Sequence, residues 1–501
     1  MDPEKCCDSG CTPCERDPDG KEPTDLCNYI AGQFVCHFGE DWMNVLEPAT
    51  GERFARVPLS TEEDVDAAVA AAREAQPAWG ALSVSQRADW LDRIADALEA
   101  RYEDVASLES RDTGKPISLA RAVDAHRSVA NFRFFAGLLR EHEQEVFEMA
   151  DATNFVVQKP VGVGALVTPW NLPLYLLSWK VAPAIGMGNT VVCKPSELTP
   201  MTADLLMRVV HEVGLPPGVV NLVHGDGAGA GAPLVAHSDI DLVSFTGGTD
   251  TGQKVAASTA PSFKKLSLEL GGKNSSIVFA DCDMDSTVAG VVRAGFLNQG
   301  QVCLCGSRVL VEDSIYDEFR DLFIDAVEAM RVGDPSEEAT DLGALISGEH
   351  LEKVSGYVEL AKQEGGILLT GGEPCLPSGF EHGNWMAPAV IEGLSPDSRC
   401  STEEIFGPVV TLHRFSSEDE AVAIANNTRY GLAGSVWTSD LERGRRVSEA
   451  LHTGMVWVNT WLHRDLRVPF GGVKDSGVGR EGGRWSLGFF SEAMNVCVKH
   501  D

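Results

Sequence analysis

Three short stretches carry side chains whose types suit covalent chemistry. The first is Phe296-x-Asn298-x-Gly300-Gln301-x-Cys303. A helical segment there runs into a glycine-containing turn, with a cysteine just past it. A thiol so placed can lie near backbone N–H groups, which favour the nucleophilic thiolate. The second is Leu268-Glu269-Leu270-Gly271-Gly272-Lys273. A carboxylate between two leucines sits near apolar surface, which raises its pKa toward that of a useful general base. The third is Thr168-Pro169-Trp170-Asn171-Leu172-Pro173. An asparagine amide is a good donor to a developing oxyanion. Taken singly, each also fits a plain structural role: a core cysteine, a strand carboxylate and a turn asparagine.

Two further stretches suit a phosphate-bearing ligand. Lys194-Pro195-Ser196-Glu197 offers a cation and a carboxylate for ribose hydroxyls. Phe245-Thr246-Gly247-Gly248-Thr249-Asp250-Thr251-Gly252 opens a predicted helix, where glycines and hydroxyls suit a diphosphate.

These stretches need a scaffold. Short apolar strands at 163–167, 190–194, 219–223 and 241–245 alternate with helices at 174–184 and 202–213. That alternation predicts an α/β fold with a parallel, doubly wound sheet, whose ligands bind at the carboxyl ends of the strands. A second alternating run, from Ser276 to Val458, predicts a second α/β lobe. The expected division is a Cys/Asp-rich extension at 1–26 and a cofactor lobe at 27–144 and 163–270. A catalytic lobe at 271–475 and oligomerisation strands at 145–162 and 486–501 complete it. Ser60-Thr61-Glu62-Glu63 reads as a capping box opening the first helix.

Composition narrows the class. The 501 residues include 74 acidic and 41 basic side chains, a formal net charge of −33. This argues against nucleic-acid or anionic-membrane partners and reads as a solvated acidic shell of the kind halophiles use. No apolar run is long enough to span a bilayer. Met1-Asp2-Pro3-Glu4-Lys5 lacks a charged-then-apolar leader. The 13 cysteines do not form an even framework, which suits a reducing cytoplasm. Cys6-Cys7 and Cys11-x-x-Cys14 could hold a metal ion, but no matching His/Cys pair follows, so a reduced tail without metal is expected.

In order and spacing, the five stretches resemble the aldehyde dehydrogenase superfamily over about residues 28 to 498. Asp112-Thr113-Gly114-Lys115-Pro116, Glu403-Glu404-Ile405-Phe406-Gly407-Pro408, Tyr430-Gly431-Leu432-Ala433 and Pro469-Phe470-Gly471-Gly472-x-Lys474-x-Ser476-Gly477 extend the resemblance. It implies a Rossmann-like cofactor lobe, a catalytic lobe, a small β oligomerisation element and a homodimer or homotetramer. It implies oxidation of an aldehyde to an acid, with Cys303 as nucleophile. Asn171 and the Cys303 N–H would form the oxyanion hole, and Glu269 would activate water to hydrolyse the thioester. Glu269 argues against the CoA-acylating branch.

The cofactor residues implied are Thr168, Pro169, Trp170, Lys194, Ser196, Glu197, Thr246, Gly247, Gly248, Gly252, Leu270, Gly271, Glu404 and Phe406. Gly248 stands where the family usually has serine. Glu197 favours NAD over NADP electrostatically, while Lys194 leaves NADP open.

Trp170 through Lys180, Gly300 through Cys305, Gly343 through Ser347 and Asn459-Thr460-Trp461-Leu462-x-Arg464-x-Leu466 resemble the 2-aminomuconic and 2-hydroxymuconic semialdehyde dehydrogenases. Those enzymes act on an aldehyde that also carries a carboxylate. A buried carboxylate needs a cation, and Arg121 and Arg464 are the expected ligands; ordinary ion pairing is the other reading of both. The alternatives are a broad aliphatic or betaine aldehyde dehydrogenase and, more remotely, a catalytically silent member of the fold.

Overall fold

The computed structural model describes residues 24–36 and 41–500. The expected metal-capable cysteines, Cys6, Cys7, Cys11 and Cys14, lie outside the described residues.

The first lobe is built on an eight-stranded sheet. Its order is Gly477–Val478, Lys265–Glu269, Leu242–Thr246, Val163–Val167, Thr190–Lys194, Val220–Leu222, Asn28–Ile30, Gln33–Val35. The five strands from Lys265–Glu269 to Val220–Leu222 are parallel, and the edges are antiparallel. Of these five, Val163–Val167 comes first in the chain, and it lies beside both Leu242–Thr246 and Thr190–Lys194. Strand order therefore reverses there, and a crevice opens at the carboxyl ends of Val163–Val167 and Leu242–Thr246. The next residues are Thr168-Pro169-Trp170-Asn171 and Gly247-Gly248, so chain reversal delivers the predicted ligand residues to one place.

The helix Pro173–Gly186 starts on a proline, which is preorganised for a first helical turn, and 13 of its side chains or backbone positions are buried. Helices on both faces explain why this sheet reads as continuous apolar runs.

The second lobe holds a seven-stranded sheet in the order Ile367–Thr370, Ala389–Glu392, Val409–Phe415, Arg308–Glu312, Ser275–Val278, Ala433–Trp437, Met455–Val458. Only the Ile367–Thr370 edge is antiparallel. A third sheet pairs Ser491–Lys499 with Ala152–Pro160 over nine residues, and Val146–Glu148 adds to it.

Three boundaries move. Thr24–Asp25 pairs with Arg53–Pro58 in a small sheet, and Leu26 is fully buried beside Val45 and Phe54. The first lobe thus starts inside the expected 1–26 extension. The expected C-terminal strand region at 486–501 begins in a helix, Gly483–Phe489. The capping box is Thr61 with Asp64, one residue later than expected. Ser60 is buried and accepts a hydrogen bond from Asn28 at 2.8 Å, so it is unavailable to cap. Among the described residues no helix is long and apolar enough to cross a membrane.

Candidate active site

The active-site cleft lies where the two lobes meet. Segment 270–274 crosses between them, from the carboxyl end of Lys265–Glu269 to the start of Ser275–Val278. The cleft, open to solvent, has a cavity volume of about 270 Å³ and is lined by Cys303, Glu269, Asn171, Glu404, Phe406 and Arg464, among others.

Cys303 follows a strained turn. Asn298, Gln299 and Gly300 all have positive φ, at 55°, 56° and 70°. For non-glycine residues this conformation costs about 1–2 kcal/mol each, so the turn must be held. The Gln299 amide donates to Ala344 O at 2.9 Å, and Asn274 donates to the carbonyls of Cys303 and Cys305 at 2.8 and 3.0 Å. The Trp461 indole donates to Leu304 O at 3.0 Å.

The surroundings of the thiol disfavour the expected thiolate. Among the described residues no hydrogen bond reaches the Cys303 sulfur. Burial pushes its pKa well up, Glu269 and Glu404 push the same way, and Arg464 opposes them. These surroundings favour the neutral thiol. The physical reason is burial first and then two carboxylates that share its cleft, a long-range consequence invisible from the turn alone.

Asn171 is buried, and its side-chain amide donates to Gln301 O at 2.8 Å. One amide hydrogen remains for the cleft, and no acceptor among the described residues takes the backbone N–H of Cys303. Each donor of the expected oxyanion hole thus keeps one N–H unengaged. The Asn171 carbonyl accepts from Lys115 Nζ at 3.0 Å and from Asn298 Nδ2 at 3.2 Å. Lys115 is fully buried, paired with Asp124 at 2.8 Å and lying 3.9 Å from Glu109.

Glu269 ends its strand, and its Oε1 is buried with no hydrogen-bond partner. Burial raises its pKa well above the usual carboxylate range. Glu481 raises it further, while Lys180, Arg464 and Arg480 pull it down. Lys180 Nζ lies 2.9 Å from Glu481 and donates to Ser244 Oγ at 2.7 Å. Sequence reasoning missed this buried pair. Lys180 carried a signal, being a charge inside an apolar helix; Glu481 carried none.

A second cleft of about 310 Å³ continues from the first and shares Pro169, Trp170, Thr246, Gly247 and Gly248 with it. Thr168, Lys194, Ser196 and Glu197 line its far part. Lys194 is buried, bonds Pro195 O at 2.9 Å and sits 3.5 Å from Glu197. These residues fit a dinucleotide. Thr246 Oγ1 is buried without a partner, and a side chain at Gly248 would meet nothing within 4 Å. At the near end Leu270 and Gly271 line the first cleft. Glu404 accepts from Gly272 N at 2.9 Å, and a Cβ at Gly271 would collide with its carboxylate. Phe406 meets Trp170 edge-on, ring centroids 5.3 Å apart, and its carbonyl bonds His350 Nε2 at 2.7 Å.

Two expected ligands are elsewhere. Gly252 lines neither cleft; a Cβ there would overlap Leu270, so glycine makes room for that side chain. Arg121 is at the surface, paired with Glu103 at 3.0 Å and Glu338 at 2.5 Å. Leu119 and Val123 face the cleft. Arg121 lies midway between them on the helical stretch, and helical spacing turns it the other way.

Arg464 does reach the cleft. Its guanidinium packs over Phe470 and Trp179, 4.1 and 4.5 Å from the ring centroids, and Nη1 donates to the Tyr175 hydroxyl. Nη2 is buried with no acceptor.

The aldehyde dehydrogenase family profile matches residues 36–496. A 2-aminomuconic semialdehyde dehydrogenase of Danio rerio is 48% identical over 95% of this chain and 98% of its own length. A 2-hydroxymuconic semialdehyde dehydrogenase of Pseudomonas sp. (strain CF600) is 45% identical over 95% and 99%. A crystal structure of betaine aldehyde dehydrogenase from Staphylococcus aureus in complex with NAD+ superposes with a TM-score of 0.92, at 36% identity and 94% coverage of both chains. Together with a thiol, a carboxylate and an amide donor gathered at the seam of two α/β lobes, these likenesses show that the chain belongs to the aldehyde dehydrogenase family.

Proposed function

We propose that this enzyme oxidises an aldehyde bearing a carboxylate, of the muconic semialdehyde type, to the corresponding dicarboxylate, with NAD as acceptor. One observation carries the substrate class. Arg464 lines the cleft, its Nη2 is buried with no hydrogen-bond partner, and among the described residues no carboxylate lies within ion-pair distance of it. A half-buried guanidinium with one arm unpaired gains from an anion, and a substrate carboxylate would supply that charge.

The chemistry divides among the chain's own groups. Cys303 gives its proton to water in the cleft and adds to the carbonyl carbon, and the resulting oxyanion is received by Asn171 Nδ2 and the Cys303 N–H. Bound nicotinamide dinucleotide supplies the hydride acceptor. Lys194 and Glu197 would hold its adenosine ribose, Thr246 to Gly248 its diphosphate and Glu404 its nicotinamide ribose. Glu269 then takes a proton from the water that cleaves the Cys303 thioester.

The third sheet exposes Val146, Phe147 and Val498, which supports assembly into a homodimer or homotetramer. The scattered cysteines support a cytoplasmic setting.

The test is kcat/KM over a panel of muconic semialdehydes, betaine aldehyde and aliphatic aldehydes, in low and high salt. A preference for the acid-bearing members is expected. Equal or better turnover of neutral or cationic aldehydes overturns the substrate class.

A further inference from the structure

Two cysteines meet far from the cleft, on the antiparallel edge of the first sheet. Cys27 Sγ lies 3.2 Å from Cys36 Sγ. The hairpin register accounts for this approach. Ile30 pairs with Gln33, Tyr29 with Phe34 and Asn28 with Val35, so the next rung outward sets Cys27 opposite Cys36.

The turn residues Ala31 and Gly32 have φ of 51° and 79°, as a two-residue turn matched to strand twist requires. Ile30–Gln33 closes that turn. Counting outward, Tyr29–Phe34 and Cys27–Cys36 are the rungs without mutual backbone hydrogen bonds. Such rungs hold their Cα atoms about 4.5 Å apart, inside the roughly 4.4–6.8 Å range that a disulfide accepts. The Tyr29 and Phe34 rings, on the same face, lie 4.9 Å apart between centroids.

We propose that Cys27 and Cys36 are a disulfide-forming pair, oxidised by small-molecule disulfides such as oxidised glutathione. Cys36 is half-buried and Cys27 buried, which sets the order of events. The Cys36 thiolate attacks the small disulfide, forming a mixed disulfide and expelling one thiolate. Cys27 gives up its proton and attacks the Cys36 sulfur, expelling the second thiolate. Two protein thiols are oxidised, one small disulfide is reduced to two thiols, and no other reactant is needed. The bond clamps the hairpin whose strand Asn28–Ile30 is held to Val220–Leu222 through the Tyr29–Leu222 pair and the Ala31 N–H to Asn221 hydrogen bond of 3.0 Å.

The sequence makes the test clean. The tryptic peptide from Glu22 to Arg53 contains Cys27 and Cys36 and no other cysteine. The full chain is incubated in glutathione buffers of increasing oxidised fraction, acid-quenched, denatured, alkylated, digested and weighed. The peptide should pass from two alkyl groups to none, two hydrogens lighter than its reduced form, and dithiothreitol should restore both groups. In Cys27→Ser or Cys36→Ser the remaining cysteine should never yield this lighter, unalkylated peptide. Double alkylation at every ratio overturns the proposal. So does a cross-link to a peptide carrying Cys6, Cys7, Cys11 or Cys14, or bound zinc that either serine variant releases.

Discussion

Arg464 lies over the ring of Phe470, 4.1 Å from its centroid, and holds Tyr175 by its hydroxyl, yet one arm of its guanidinium has no acceptor. Aromatic packing fixes the cation where it can meet an anion in the cleft. A hydrogen bond to a charged group contributes about 1.5–3 kcal/mol. Arg464→Ala should therefore raise KM for a semialdehyde acid by about 10- to 150-fold, and for a neutral aldehyde far less. Equal losses in steady-state assays of both substrates would remove Arg464 from substrate binding.

Glu269→Gln separates the two halves of the reaction. Thioester formation should survive and hydrolysis should fail, because the amide cannot take a proton from water. A burst of NADH stoichiometric with enzyme should be followed by turnover slower by about 10²–10⁴. A variant with no burst, or with undiminished steady-state rate, contradicts the assigned role.

The same carboxyl links stability to pH. Its folded pKa is raised, by burial first and Glu481 second. Its contribution to stability is thus fully present below the unfolded carboxylate pKa and is lost as pH rises through the folded value. Glu269→Gln should melt above the wild type at alkaline pH, and the gap should close on acidification. Differential scanning calorimetry across that range checks the sign; a gap that widens toward acid defeats it.

Gly248 caps the helix Thr249–Thr259, and a Cβ there meets nothing within 4 Å. Gly248→Ser should add a hydroxyl beside the expected diphosphate without strain. One neutral hydrogen bond contributes about 0.5–1.5 kcal/mol, so the Kd for NAD should fall by about 2- to 12-fold in calorimetric titration. An unchanged or weaker Kd places the diphosphate elsewhere.

Lys115 stands between Asp124 and Glu109 with no solvent exposure. Removing it leaves two buried carboxylates uncompensated. Lys115→Met should destabilise by about 3–5 kcal/mol in denaturant titrations, and kcat should fall as the Asn171 carbonyl loses an anchor. Unaltered stability would mean that those carboxyls are already neutral.

Much of this was readable from local pattern. Strands such as Thr190–Lys194 and Val163–Val167 lie where apolar runs placed them, because burial on both faces leaves a continuous signature. Asn171, Glu269 and Cys303 converge because each sits next to a strand end or turn that a motif marks. What escaped depends on direction and distance. Arg121 shares a helical stretch with Leu119 and Val123 but points away from the cleft they line, and its motif does not encode that angle. Ser60 yields its capping place to Thr61 because of Asn28, 32 positions earlier. Glu481 meets Lys180 across 301 positions, and no local spacing announces such a pair.

The segment 270–274 has one more consequence. Asn171 and Glu269 belong to the first lobe, while Cys303, Glu404 and Phe406 belong to the second. Either lobe, cut free, would keep only part of that set. A ligand held at once by Lys194 and Glu404 would act as a stitch across that seam, stabilising the docking of the lobes as well as occupying them.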